Sequence, residues 1–308
     1  MKTFTIASPY GSIYCYDYVV FLSLKQSLEK LGYKFDRNSN NRIYLMGYPM
    51  GRQYKDCGPF DTKKFNISLI GSYYDYIKHR GEVDCFDFTY CSSPQGYQYL
   101  LDKFNFKADG LWNLYSPFGN DILPQFQPNN NIEIKECDVA FCGNARVRPA
   151  VEELMVVLEK HPELKFYYYG FNIKNYRGTQ KVKSHWIGDI LSYYKYPEFA
   201  QKTKVVLLDM HDSMSDIGMP SFKYIDFLMN KAFVLVYKNK YAKDQLKGAT
   251  FQHNDVLPGD LENKLMFYLN NPEERQKVID RQYQLVKDVH SVKRTAALLK
   301  GIIDVYGK

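Results

Sequence analysis

Short apolar runs alternate with amphipathic stretches from one end of the chain to the other. That alternation admits few folds, and it predicts an α/β protein with parallel strands joined by crossover helices. TFTIA (3–7) reads as an opening strand, and residues 18–31 carry apolar positions at helical spacing until Gly32 stops them. RIYLMG (42–47), FNISLIG (65–71) and FDFTYCS (86–92) read as further buried strands, each ending in Gly or Ser. After PQFQPNNN (124–131), whose prolines and asparagines suit a connection between domains, a second series begins. It comprises DVAFCG (138–143), a helix over 149–160, KFYYYG (165–170), HWIG (185–188), KVVLLDM (204–210), a helix over 221–230 and AFVLVY (232–237). Residues 272–306 are helical in pattern and long enough to pack back across the first half.

A length of 308 residues fits two domains at about 100–200 residues each. With 45% apolar and 16% aromatic residues the chain can fill two cores, which excludes a disordered or fibrous protein. No apolar run approaches the roughly 20 residues of a membrane span, and MKTFTIASPYG alternates like a strand and not like a signal-peptide core, so cytoplasm is the expected compartment. The six cysteines show no CxxC pair and no His at zinc-ligand spacing, so they are expected to be reduced and mostly buried. A surplus of 41 Lys and Arg over 34 Asp and Glu permits phosphate-rich partners without demanding them. The 28 tyrosines suit polar, stackable surfaces.

Open α/β sheets bind ligands at the carboxyl ends of their strands, so the loops there carry the candidates. In CGNARVRP (142–149), Gly143 lets backbone approach a ligand, Arg146 and Arg148 can neutralise phosphate, and the following helix start can present free N–H groups. The plain alternative is a surface turn with two solvated arginines. A second loop, from Asp209 through Asp212 to Ser221, is acidic and enters a helix in which Lys223 and Asp226 share a face. A cation there can meet a diphosphate and a carboxylate one turn on can hold ribose hydroxyls; the alternative is a surface ion pair. GxGxxG and GxxxxGK[ST] are both absent, which removes the nicotinamide and P-loop readings.

The order of strand, GN-R turn, helix, strand ending in Gly170, Gly188 turn, acidic loop and K-x-x-D resembles the nucleotide-binding half of GT-B glycosyltransferases. Within that fold, VAFCGNARVR, KFYYYG, HWIGDI, VVLLDMHD and KYIDFLMNKAFVLV are most similar to the phage DNA β-glucosyltransferases. The resemblance implies two Rossmann-like domains facing a central cleft: an acceptor-side domain over 1–128, a nucleotide-sugar domain over 129–290, and a C-terminal helix, 291–308, returning to the first. It implies a UDP-sugar donor, UDP-glucose in the first place. Asn144, Arg146 and Lys223 would then meet the diphosphate, Asp226 the ribose, the backbone around Ile190 the base, and Asp212 would lie near the sugar, with Gly143 and Arg148 of the same turn beside them on the reading of the residues above. No motif requires a divalent metal, since D-x-D is absent.

Transfer with inversion needs a base for the acceptor hydroxyl. Asp75, after the strand FNISLIG, stands where the resemblance puts the catalytic Asp; a helix cap is the alternative reading, with Asp17 and His79 as reserves. Lys78, His79 and Arg80 with Arg37, Arg42 and Arg52 can form a basic rim, and Tyr10, Tyr14, Tyr73, Tyr74 and Tyr76 can line the gap left by an extruded base. The expected acceptor is a hydroxymethylated base in double-stranded DNA, which would place a phage-encoded chain in its host's cytoplasm. The alternative is a transferase of cell-surface polysaccharide or glycoprotein, similar to the CgeB-like and group 1 enzymes, with a glycan acceptor. A two-domain protein that closes on a ligand without catalysis is a third reading.

Overall fold

The computed structural model describes residues 2–8, 16–45, 57–71, 74, 77–118, 132–189, 191–209, 222–237 and 255–308, with Tyr16 and Asp17 as backbone only. The chain forms two compact units, the first from Met1–Gln125, Asp216–Phe222 and Asp288–Lys308, the second from Phe126–Ser215 and Lys223–Lys287. The expected connection over 124–131 lies outside the described residues.

In the first unit β1 (Thr3–Ala7), β2 (Lys34–Phe35), β3 (Asn41–Leu45), β4 (Phe65–Ile70), β5 (Phe88–Cys91) and β6 (Gly110–Leu111) form one parallel sheet, in the order β2-β1-β3-β4-β5-β6. Every residue of β3 and β4 is buried, as expected for strands covered on both faces. The strand order reverses between β1 and β3, which makes their carboxyl ends the crevice of this sheet. Crossover helices are α1 (Tyr16–Lys30), the single-turn α2 (Gly81–Asp84) and α3 (Pro94–Phe104). Gly32, at φ +89°, supplies the left-handed residue that lets the chain leave α1. Ser93 starts α3 by accepting a hydrogen bond from the Gly96 N–H at 2.9 Å.

The second unit repeats the plan with β7 (Cys137–Cys142), β8 (Phe166–Tyr169), β9 (Trp186–Gly188), β10 (Thr203–Asp209), β11 (Val234–Tyr237) and β12 (Asp255–Val256). Their order is β12-β11-β10-β7-β8-β9, again parallel, so the reversal falls between β7 and β10. The helices are α4 (Pro149–Lys160), α5 (Tyr196–Lys202), α6 (Phe222–Met229), α7 (Leu261–Asn270) and α8 (Pro272–Val289). Val139, Phe141, Val205, Leu207 and Leu235 from the strands interlock with Val151, Leu154 and Leu265 from the helices in one apolar core.

The last helix, α9 (Val292–Tyr306), belongs to the first unit and lies against α1. Its end is tied down by polar contacts: Lys2 Nζ donates to the Ile303 carbonyl at 3.0 Å, and the Lys308 N–H donates to Asn41 Oδ1 at 2.8 Å. Tyr33 bonds the Asp304 carboxylate, and the Phe88 and Tyr306 rings meet at 5.0 Å. The helical pattern over 272–306 is thus two helices, parted where the Ser116 N–H donates to the His290 carbonyl at 3.1 Å.

Burial corrects the surface reading of the tyrosines. Tyr44, Tyr74, Tyr115, Tyr168, Tyr169, Tyr176, Tyr196 and Tyr224 are among the largest fully buried side chains. Their hydroxyls find partners inside, as Tyr115 does by donating to the Val20 carbonyl at 2.9 Å, so each ring fills volume without stranding its polar end. The described cysteines are free thiols, four of them buried and Cys85 half-buried. No helix among the described residues is long and apolar enough to cross a membrane.

Candidate active site

The crevice of the second sheet lies where β7 and β10 end, and the loop Gly143–Arg148 crosses it to reach α4. Arg148 draws the two strand ends together: its Nη1 donates to the Asp209 carbonyl at 3.2 Å, and its guanidinium sits 5.6 Å from the Phe141 ring. Only 8% of Arg148 is exposed, so the turn with two solvated arginines does not hold. Burial, then the neighbouring charge of Arg146, lowers the Arg148 pKa, while Asp209 acts against both. Arg146 and Asn144 line the crest of the same loop, Asn144 exposed and Arg146 open to solvent. Of the two arginines, Arg146 is the one that solvent and a ligand can reach.

The start of α4 is occupied as well. Pro149 has no N–H, the Ala150 N–H donates to Asp209 Oδ2 at 3.0 Å, and the Val151 and Glu152 N–H groups donate to the Arg148 carbonyl. The expectation of free N–H groups for phosphate is therefore corrected, because the Asp209 carboxylate already caps the helix. Positive charge comes instead from Lys223 on the first turn of α6. Its Nζ donates to the Cys142 carbonyl at 3.0 Å, which holds the ammonium at the end of β7 beside Gly143 and the exposed loop.

Asp226, one turn further, is fully buried, so it forms no surface ion pair and its carboxylate is not presented to solvent. It lies with Cys142 beside Tyr196, whose phenol pKa is raised by burial and then by those two neighbours. Tyr196 stacks on Phe227 at 5.3 Å, so Asp226 is embedded in the packing beneath the loop. Ile190 and Asp212, expected at the base and the sugar, lie outside the described residues.

What sequence reasoning missed is how the loop is held. A Cβ on Gly170 would stand 1.7 Å from the Gly143 carbonyl oxygen, so only glycine lets the ends of β7 and β8 approach this closely. The Gly143 N–H donates to Tyr169 O at 2.9 Å, the Ala145 N–H to Phe171 O at 2.9 Å and the Gly170 N–H to Gly188 O at 3.0 Å. Tyr168 Oη donates to the Asn144 carbonyl at 3.0 Å and Trp186 Nε1 to the Gly170 carbonyl at 3.0 Å. The one signal in the sequence was a glycine directly after KFYYY.

In the first unit Asp75 lies outside the described residues, as does the side chain of Asp17. Tyr74 is fully buried: its hydroxyl accepts from the Ser92 N–H at 3.1 Å, and its ring fills the space a side chain at Gly96 would need. It does not line a gap for an extruded base. Arg42 is also removed from the expected rim, because it is buried and its Nη1 donates to the Pro59 carbonyl at 2.6 Å. His79 faces Glu82 at 3.3 Å and Arg80 pairs with Asp84 at 2.9 Å, so both side chains meet an acid of α2. Arg52, Tyr10, Tyr14, Tyr73 and Tyr76 lie outside the described residues. Among the described residues no group of three or more His, Cys, Asp or Glu side chains gathers as a metal site.

Comparison with solved structures returns the same fold. Sucrose-phosphate synthase from Thermosynechococcus elongatus aligns with a TM-score of 0.66 at 11% identity over 99% of both chains. T4 phage BGT in complex with UDP and Mn2+ aligns with a TM-score of 0.58 at 11% identity, also over 99% of both chains. TarM of S. aureus aligns at 0.56 and 12% identity over 94% of this chain and 58% of its own. No curated protein sequence matches the chain. The family model described as "Glycosyl transferase-like" matches residues 146–301, half of the chain, beginning at Arg146 in the crevice loop and running through Lys223 to α9. With that match and two parallel-sheet units of this design, the chain belongs to the glycosyl transferase-like family and is a GT-B glycosyltransferase.

Proposed function

We propose that the protein transfers a sugar, glucose in the first place, from a UDP-sugar to an acceptor hydroxyl with inversion. The observation that carries the donor reading is the crevice between β7 and β10. There Lys223 is fixed at the Cys142 carbonyl, Arg146 is open to solvent on a loop held by Gly170, and Arg148 lies behind it. A nucleoside diphosphate needs this arrangement: its leaving charge is met by cations already in place, which do not have to reorganise as the bond breaks. In the reaction the acceptor oxygen attacks the anomeric carbon, the bond to the diphosphate oxygen breaks with its electron pair, and the acceptor proton passes to a base. We assign that base to Asp75. A single displacement of this kind inverts the anomeric centre. Since Asp226 is buried, we assign it to the packing beneath Lys223 and Cys142, and leave the ribose to groups nearer the exposed loop.

For the acceptor we take a hydroxymethylated base in double-stranded DNA first. The likeness to T4 phage BGT over the full length of both chains and the formal charge of +7 support this reading. A glycan acceptor is the second reading, favoured by the inward Tyr74 and the buried Arg42, which remove an aromatic and a basic group from the expected DNA face. The test is UDP release from a panel of UDP-sugars with and without DNA containing 5-hydroxymethylcytosine. DNA-dependent release that disappears in Asp75→Asn is the expected result. Donor hydrolysis indifferent to DNA discards the DNA acceptor, and an Asp75→Asn variant with parental turnover discards the base.

A further inference from the structure

At the amino-terminal edge of the second sheet, opposite the strand ends that carry the crevice loop, lies a cleft of about 660 Å³. The starts of β7 and β10 form its floor, and the end of α5, the turn after α6 and the first turns of α8 form its walls. Five cations line it, Lys165, Lys202, Lys204, Lys231 and Arg275, against two acids, Glu136 and Asp138. Two of the cations are already engaged. Lys204 pairs with Asp138 at 2.8 Å, and Lys202 donates to the Ile134 carbonyl and to Glu198, each at 3.0 Å.

The other three have no carboxylate within ion-pair distance among the described residues. Lys165 stands at the rim, and its backbone N–H occupies the second oxygen of Asp138 at 2.9 Å. Lys231 stands in the left-handed region at φ +57°, a place glycine usually takes, and its ammonium lies 4.8 Å from the Tyr283 ring. Arg275 donates Nη1 to the Tyr268 carbonyl at 2.8 Å and keeps the rest of its fork for another partner. Burial lowers its pKa. Three cations around a polar cleft of small-ligand size, with a guanidinium among them, match a multiply charged phosphate better than a carboxylate or an apolar group.

We propose that this cleft is a second anion site for a small phosphate-bearing molecule, met by Lys165, Lys231 and Arg275. The proposal is independent of the donor reading, whose cations sit at the other end of the same strands.

The test is calorimetric titration of the full chain with inorganic pyrophosphate, in a Lys223→Met background that disables the crevice. One saturable site is expected to remain. Lys165→Gln and Arg275→Gln are each expected to weaken it tenfold or more, while Lys30→Gln on the exposed end of α1 leaves it within twofold. Among the described residues the Lys165 side chain makes no hydrogen bond or ion pair, so its replacement decides the matter even if Arg275→Gln, which loses the Tyr268 contact, melts lower. Absence of a saturable site in the Lys223→Met background, or equal weakening by Lys165→Gln and Lys30→Gln, overturns the proposal.

Discussion

Replacing Gly170 by alanine places a methyl group 1.7 Å from the Gly143 carbonyl oxygen and 2.8 Å from the Tyr168 ring. Restoring a contact near 3.5 Å requires the ends of β7 and β8 to part by roughly 1.5–2 Å. The bonds spanning that gap are Gly143 N–H to Tyr169 O, Ala145 N–H to Phe171 O, and Tyr168 Oη to Asn144 O. Losing two of them costs about 2 kcal/mol at roughly 1 kcal/mol each, and forcing extra volume into packed structure adds about 1–3 kcal/mol. A total of about 4 kcal/mol corresponds to a fall of roughly 8–16 °C in the melting transition of a unit of this size. The same movement displaces Asn144 and Arg146, so UDP affinity should fall at least tenfold, a loss of about 1.4 kcal/mol. Thermal unfolding followed by circular dichroism, with UDP titration of the folded protein, reads both effects. A variant melting within 2 °C of the parent and binding UDP within twofold would refute the argument that this glycine holds the loop.

Gly301 is the contrasting case, a glycine inside α9 where a methyl group would meet no atom within 4 Å beyond the local helix backbone, so Gly301→Ala should stabilise by about 0.5–1 kcal/mol and raise the melting temperature. Lys223→Met removes the ammonium that the Cys142 carbonyl holds at the end of β7; a charge-assisted bond from it to the diphosphate is worth about 1.5–3 kcal/mol, so UDP binding should weaken roughly 10- to 100-fold, read by calorimetry. Arg148→Lys should fail to restore what Arg148→Met loses in UDP affinity, because an ammonium cannot both lie over Phe141 and reach the Asp209 carbonyl. Burial pushes the Cys137 thiol up to about 11 and Cys91 up to about 12, from an ordinary value of 9.0. Their contribution to stability is complete below pH 9 and is lost as pH rises through that window to the folded values. Native protein at pH 8 should therefore resist iodoacetamide at both positions, and melting temperatures should fall between pH 9 and 11.

Much of the fold was legible because its signals are local. Apolar runs closed by Gly or Ser gave β1, β3, β4, β5 and the longer strands of the second unit to within a few residues. Proline at the start of α4 and Gly32 after α1 marked helix limits through backbone geometry that depends on the residue itself. The two-residue strands β2, β6 and β12 were not legible, since they are too short to show a period and form only against a neighbour.

At the site the division is equally physical. Sequence alone determined that Gly143, Asn144, Arg146, Arg148, Lys223 and Asp226 lie on the loop and helix at one end of a parallel sheet, because strand ends and helix starts follow from pattern. Tertiary structure decided which of them face outward. Arg146 and Arg148 differ in nothing a pattern can read, yet one is open to solvent and the other lies over Phe141 and ties β7 to β10. Asp226 is buried beside Tyr196 while Lys223, three residues earlier, reaches Cys142. Asp209 became a helix cap and Tyr74 a core residue for the same reason. Direction and burial are set by what packs against a side chain, and those neighbours come from parts of the chain that only folding brings together.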